Sequence, residues 1–119
     1  MKLLIVDDSG FSRRKFREAI LKEEPSLDIV EAMDGVDALQ KIESEAPDVC
    51  VSDLLMPKMS GLDFLRAMKE RAPTIKIIVL SADIQDRRKE ECYKLGVVLF
   101  LEKPLSAPKL SQILGVLAR

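Results

Sequence analysis

Five positions in this chain carry side chains that can do chemistry, and each lies just behind an apolar run. Asp7 and Asp8 follow "KLLIV", Asp53 follows "VCVS", Ser81 follows "IKIIVL", and Lys103 comes shortly after "VVLFL". Three carboxylates gathered in one crevice would repel by about 4 kcal/mol per pair at ~4 Å, taking an effective dielectric of about 20. They would also raise one another's pKa values. A hard divalent cation removes that cost, and two or three carboxylates with retained waters suit Mg²⁺ better than a dedicated calcium cage. Lys103 adds a mobile point charge and Ser81 a hydroxyl, so that with the cation they can clamp the oxygens of a phosphoryl group. Asp53, the single acid behind a central buried strand, is the candidate nucleophile, because a carboxylate can form an acyl phosphate. Asp7 and Asp8 are then the metal holders. Taken singly, an Asp behind a strand is most simply a helix cap or turn residue. What makes these five a candidate site is that one fold edge can collect them all.

The runs at residues 2–6, 27–32, 49–52, 75–80 and 97–101 are short, and most are β-branched and continuous. That is the mark of strands buried on both faces of a parallel sheet. Only the second, interrupted by Asp28 and Glu31, reads as an edge. Between the runs the spacing is helical, most clearly at Val36, Leu39 and Ile42 and at Leu110, Ile113, Leu114 and Leu117. Asp34 or Gly35 opens the second helix and Pro47 follows it; Ser60-Gly61 opens the third and Pro73 follows it. Gly96 sits where a C-terminal glycine cap belongs, and Ser106 caps a last helix that tolerates Pro108 in its first turn. The fourth helix, residues 84–95, offers only Ile84, Cys92 and Leu95 to a core, so it is the element expected to move. Five strand–helix units with short connections imply a doubly wound α/β sandwich. In such a sheet the strand C-termini share one edge, where ligands bind at the point of reversed strand order.

At 119 residues the chain is one domain of ordinary globular composition, with aliphatic rather than aromatic packing: 47% of residues are hydrophobic but only 4% aromatic. Lys plus Arg number 19 and Asp plus Glu 20, so no basic surplus points to nucleic acid. The clusters Arg13-Arg14-Lys15 and Arg87-Arg88-Lys89 read as solvated helix faces, available to a protein partner. Cys50 and Cys92 lack the spacing of a zinc or redox motif and read as packing residues in a reducing compartment. The N-terminal apolar run is too short for a signal peptide or a membrane span, and a cytoplasmic protein is expected.

In "VDDS", "VSDLLMPKMSG", "VLSA" and "FLEKP" the sequence resembles the receiver domain of two-component response regulators, most of all the single-domain, chemotaxis-type members. The resemblance covers residues 1–119 and implies a flavodoxin-like sheet of order 2-1-3-4-5 with five helices and no separate output domain. It also implies that a sensor histidine kinase phosphorylates Asp53. Asp8 and Asp53 would supply carboxylates to Mg²⁺, Asp7 would help through water, and the Leu55 carbonyl would complete the protein ligands. Ser81 and Lys103 would bind the phosphoryl group. Pro57, Gly61 and Pro104 would shape the loops, Pro104 after a cis peptide. The family's switch implies that Ser81 moves toward the phosphoryl group and that Phe100 rotates into the space it leaves. That change would rearrange the face of the fourth helix, fifth strand and fifth helix for a downstream protein target, with a phosphatase as a further partner. Read from its own run, Phe100 is most simply a core residue.

Ser81 stands where threonine is commoner and Phe100 where tyrosine is frequent; the hydroxyl is kept in the first case and lost in the second. Leu55 and Asp83, two residues beyond Asp53 and Ser81, are expected to flank the pocket mouth and to set the phosphoryl lifetime. With no histidine of its own, the chain requires a phosphoryl donor in another protein or a small acyl phosphate. Such a protein takes part in its own phosphorylation and dephosphorylation without conventional turnover. Two other readings stand beside this one. A phosphohydrolase with an aspartyl-phosphate intermediate would place D-x-D rather than D-D behind the first strand and would need a cap domain. A phosphorylation-independent adaptor would have no use for the acid, hydroxyl and lysine set.

Overall fold

The computed structural model describes residues 1–82 and 85–119. Its elements alternate: β1 (Lys2–Val6), α1 (Gly10–Glu23), β2 (Asp28–Ala32), α2 (Gly35–Glu45), β3 (Val49–Ser52), α3 (Gly61–Arg71), β4 (Lys76–Ser81), α4 (Asp86–Lys94), β5 (Val97–Glu102) and α5 (Ala107–Leu117). The five strands form one parallel sheet of order β2-β1-β3-β4-β5. The chain reverses direction of travel between β1 and β3, which opens the ligand-binding crevice there.

Alternation along each strand divides the core in two. Leu4, Val6, Cys50, Ile77 and Val79 face Leu39, Ile42, Phe64, Leu65, Met68 and Cys92 of α2, α3 and α4. Leu3, Ile5, Val49, Val51, Ile78 and Leu80 face Phe16, Ile20, Ile113, Val116 and Leu117 of α1 and α5. Both faces of β1, β3 and β4 are therefore covered, which is why their sequences run continuously apolar. Burial pushes the Cys50 thiol up to about 12, as suits a packing residue.

Two packing details depart from the helical spacing and strand pattern. Val36 is exposed and Ala38 is buried in its place, because Val36 lies in the first turn of α2, next to the loop from β2. β5 is the second edge of the sheet although its sequence reads as buried. The β4–β5 register slips between Ile77 and Ile78, so Val98 becomes the extra residue of a bulge and turns to solvent. α4 is the thinly held helix that the sequence suggests: Cys92 is its one buried residue, with Leu95 packed behind it. Ile84, the third residue assigned to its inner face, lies outside the described residues.

Caps fix where the helices begin. Ser9, Asp34, Ser60 and Ser106 each accept a hydrogen bond from the backbone N–H three residues on. Gly96 adopts φ +94°, the left-handed conformation suited to a glycine behind a helix. Gly61 is demanded by contact rather than by φ: a Cβ there would lie 2.5 Å from Leu54 Cα and 2.7 Å from the Leu54 carbonyl oxygen. Backbone cannot yield as a flexible side chain does. Gly61→Ala is therefore expected to destabilise the fold by about 2 kcal/mol. Gly115→Ala in α5, where the added Cβ meets nothing within 4 Å, should stabilise by about 0.5–1 kcal/mol. Urea midpoints of the two variants should move in opposite directions.

Candidate functional site

The ends of β1, β3, β4 and β5 bring Asp7, Asp53, Ser81 and Lys103 together. Asp7, Asp53 and Ser81 are all buried. Asp53 Oδ1 accepts from the backbone N–H of Leu54 at 2.6 Å and of Leu55 at 3.0 Å, and from Ser81 Oγ at 2.9 Å. Its other oxygen, Oδ2, accepts from Lys103 Nζ at 2.8 Å, and the same ammonium donates to Asp7 Oδ2 at 2.8 Å. One cation thus lies between two carboxylates and removes the repulsion they would suffer alone. Burial pulls the Lys103 ammonium down, but the hydrogen bonds to Asp53 and Asp7 and the attraction of both charges outweigh it, holding its pKa above the ordinary range. The Lys103-Pro104 peptide is cis, and the Lys103 N–H donates to the Ser81 carbonyl at 2.9 Å.

Asp8 goes the other way. Asp7 turns inward, where its Oδ1 accepts from the Ser9 N–H at 2.9 Å, while Asp8 is exposed. It lines a neighbouring hollow with Leu55 and Pro57 of the β3–α3 loop, with Gly61 at the start of α3 and with Arg88 of α4. Adjacent acids behind one strand are tolerated because they part at once. The expected crevice of three carboxylates is therefore a buried pair, bridged by lysine, with the third acid in the neighbouring hollow. Among the described residues no three acidic, histidine or cysteine side chains stand close enough together to hold a metal ion. The donor set still fits a hard cation: Asp7, Asp53, Asp8 and the Leu55 carbonyl offer only oxygen, with no histidine or thiolate to favour a softer metal. Such an ion would be held by acids that Lys103 and solvent now satisfy.

Leu55 is exposed and lines this hollow; Asp83, its expected counterpart, lies outside the described residues. Phe100 is buried against the α2–α4 side of the sheet. Its backbone N–H donates to Tyr93 Oη at 3.3 Å, and Lys89 Nζ lies 5.6 Å from its ring centroid. In this conformation Phe100 is a core residue.

Two side chains that support the site escaped the sequence reading. Arg13, in a cluster whose sequence reads as a solvated helix face, donates to the Asp7 carbonyl at 2.6 Å and to Glu31 at 3.1 Å, tying the end of β1 to β2. Asp34, recognised only as a helix opener, is buried. It caps α2 through the Asp37 N–H at 2.8 Å and faces Lys58 of the β3–α3 loop at 3.5 Å. The Asp37 N–H holds its pKa low, with help from Lys58 and against the opposing effect of burial. Lys58 itself takes φ +69°. Asp34→Ala is expected to cost about 1–2 kcal/mol at pH 7. Because folding lowers this pKa, the contribution is complete above the unfolded carboxylate range near ~3.9 and is lost as pH falls through the folded value. Urea unfolding of both proteins should show the gap closing in acid.

A doubly wound sheet with buried aspartates, a lysine and a hydroxyl converging at its C-terminal edge places a polar site where α/β proteins of this class bind their ligands. Comparison with known sequences narrows the class. The model of the response regulator receiver domain matches residues 3–115, and the chain belongs to that family. The chemotaxis protein CheY of Listeria monocytogenes is 33% identical over 119 residues, covering 100% of this chain and 99% of that protein. A protein-glutamate methylesterase/protein-glutamine glutaminase of Treponema denticola is 41% identical over 107 residues. That match covers 87% of this chain but only 28% of the relative. The solved structure of Vibrio cholerae chemotaxis protein CheY4 superposes with a TM-score of 0.83 at 30% identity, covering 97% of this chain and 96% of that one. The chain is thus a response-regulator receiver with a CheY-like fold, in the class of two-component signalling proteins. No helix among the described residues is long and apolar enough to cross a membrane.

Proposed function

We propose that residues 1–119 work as a phosphorylation-activated signalling switch in the cytoplasm, with Asp53 as phosphoacceptor and a sensor histidine kinase as donor. The observation that carries this reading is the state of the Asp53 carboxylate. Among the described residues Oδ1 accepts from three donors, whereas Oδ2 accepts from the ammonium of Lys103. A nucleophile so held needs no general base. Transfer asks the receiver for in-line positioning and for neutralisation of charge on the moving group.

The residues divide that work. Lys103 leaves Oδ2 to meet an incoming phosphoryl oxygen, a move its length and three donors permit. Ser81 Oγ, now donating to Oδ1, can turn its proton to a second phosphoryl oxygen. Asp7, Asp8, Asp53 and the Leu55 carbonyl would hold Mg²⁺, which when bound supplies positive charge to the transferring oxygens. Attack by water on the acyl phosphate then resets the switch, at a rate for which Leu55 at the mouth is a determinant. A phosphatase partner would act at the same step.

Output is by protein binding through the face of α4, β5 and α5. Tyr93 and Val98 are exposed there and Phe100 lies just beneath, so a change in the Ser81 hydroxyl is felt one strand away, at Phe100, and from there at Tyr93. The thin packing of α4 supplies the element with two arrangements that such signalling needs. The CheY relatives favour chemotaxis as the setting.

The test is intact-protein mass after incubation with acetyl phosphate and Mg²⁺, repeated with EDTA. One phosphoryl group should be gained with the metal and none after chelation. Absence of the gain under both conditions would reject the switch and favour an adaptor that only docks.

A further inference from the structure

On the α1 side of the site a cavity of about 520 Å³ opens between α1 and the β5–α5 loop. Asp53, Asp7 and Lys103 stand at one end of it, and its walls are largely apolar: Phe11, Phe16, Leu80, Pro104 and Leu105, with Ser12 and Lys15 among them. A pocket of this size with an apolar body and a few convergent polar groups is the form of a small-molecule site. At its rim Phe11 is 66% exposed, and Lys15 Nζ lies 5.0 Å from that ring's centroid. Phosphoryl transfer to Asp53 would need only the charged end of this cavity. The apolar remainder is left unexplained.

We propose that this cavity binds the acyl portion of a small acyl phosphate donor, and that the chain selects donors with an apolar acyl chain over acetyl phosphate. The inference rests on Asp53 as phosphoacceptor and names the donor class for that same site. The donor's phosphoryl group meets Lys103 at the inner end, while its hydrocarbon lies against Phe11, Leu105 and Phe16. In the step itself an Asp53 oxygen forms a bond to phosphorus. The bond from phosphorus to the bridging acyl oxygen breaks, and its electron pair leaves with the carboxylate product. No proton, oxidant or further reactant is required. Lys15 at the rim offers the departing carboxylate a cation, and the two acids at the inner end disfavour its return.

The experiment compares second-order rate constants for phosphorylation by acetyl, butyryl and hexanoyl phosphates with Mg²⁺, read by intact mass. The leaving carboxylates are nearly equal in acidity, so intrinsic reactivity is matched. Each methylene buried is expected to raise the rate constant about threefold, so butyryl phosphate should exceed acetyl phosphate about tenfold. The ratio is the readout. Phe11→Ala, which removes the rim, and Ser12→Leu, which narrows the cavity, should both bring it toward one. A wild-type ratio of one would overturn the acyl site while leaving Asp53 phosphorylation intact. A ratio unchanged in both variants would place the preference elsewhere and also overturn it. No phosphoryl gain with any donor would overturn the phosphoacceptor reading and this proposal together.

Discussion

Asp53→Asn is expected to abolish phosphorylation by any donor while leaving the chain folded. The substitution is nearly isosteric, and the side chain is buried, so shape and packing survive. An asparagine oxygen can still accept from the Leu54 and Leu55 N–H groups and from Ser81 Oγ, the three donors now on Oδ1. The amide nitrogen then takes the place of Oδ2. There it meets Lys103 Nζ donor to donor, so the lysine withdraws to Asp7, which it already contacts at 2.8 Å. What is lost is the nucleophile, because an amide cannot form the acyl phosphate. Neighbouring acids offer no detour: Asp7 remains locked to Lys103, and Asp8 is turned to the adjacent hollow. Intact mass should show no gain with acetyl phosphate and Mg²⁺, and the thermal midpoint should stay within about 4 °C of wild type. A variant that gains one phosphoryl group at the wild-type rate would move the acceptor to another residue.

The architecture was legible because its signals are local. Continuous β-branched runs mark doubly covered strands, and caps such as Ser60 and Ser106 mark helix starts without reference to the rest of the chain. The edge position of β2 could be read from Asp28 and Glu31. That of β5 could not, since a single-residue bulge at Val98 is created by pairing with β4 and leaves no trace in composition. Val36 misled for a related reason. Helical spacing says which residues share a face but not where along the helix the core begins, and alanine at position 38 is too small to signal that it is the buried one. The site followed the same division. Strand ends located Asp7, Asp53, Ser81 and Lys103. The partnership among them depends on which way each side chain turns: two adjacent acids diverge, one lysine serves two carboxylates, and Arg13 and Asp34 take part through contacts 18 and 24 positions away in sequence. Such pairings exist only once the sheet has closed.

Lys103→Met should separate the two roles of that lysine, as phosphoryl clamp and as the cation between two acids. For transfer, the variant lacks the ammonium that would meet the charged oxygens, and the rate constant with acetyl phosphate should fall about a hundredfold. Lys103→Arg should not restore it, because a planar guanidinium cannot follow a moving oxygen as an ammonium does. For stability, methionine fills much the same volume but leaves Asp7 and Asp53 unpaired in a buried place. The cost should be about 2 kcal/mol at pH 7, below the range for a fully enclosed pair, since the lysine side chain keeps 25% of its exposure. The pH dependence then carries the argument. In the wild type the raised Lys103 pKa stabilises the fold everywhere below the unfolded lysine range near ~10.4, and that contribution disappears as pH rises through the folded value. The variant lacks that contribution, so its deficit against the wild type is full below the unfolded lysine range and shrinks as pH rises through the folded lysine value. Thermal midpoints of the two proteins should therefore stay apart at neutral pH and converge once pH passes the unfolded lysine range near ~10.4. Added Mg²⁺ at pH 7 should raise the variant's midpoint more than the wild type's, because there the ion supplies the positive charge that the lysine no longer provides. Midpoints that stay equally far apart above the lysine range would mean that the Lys103 ammonium is not what stabilises the two acids.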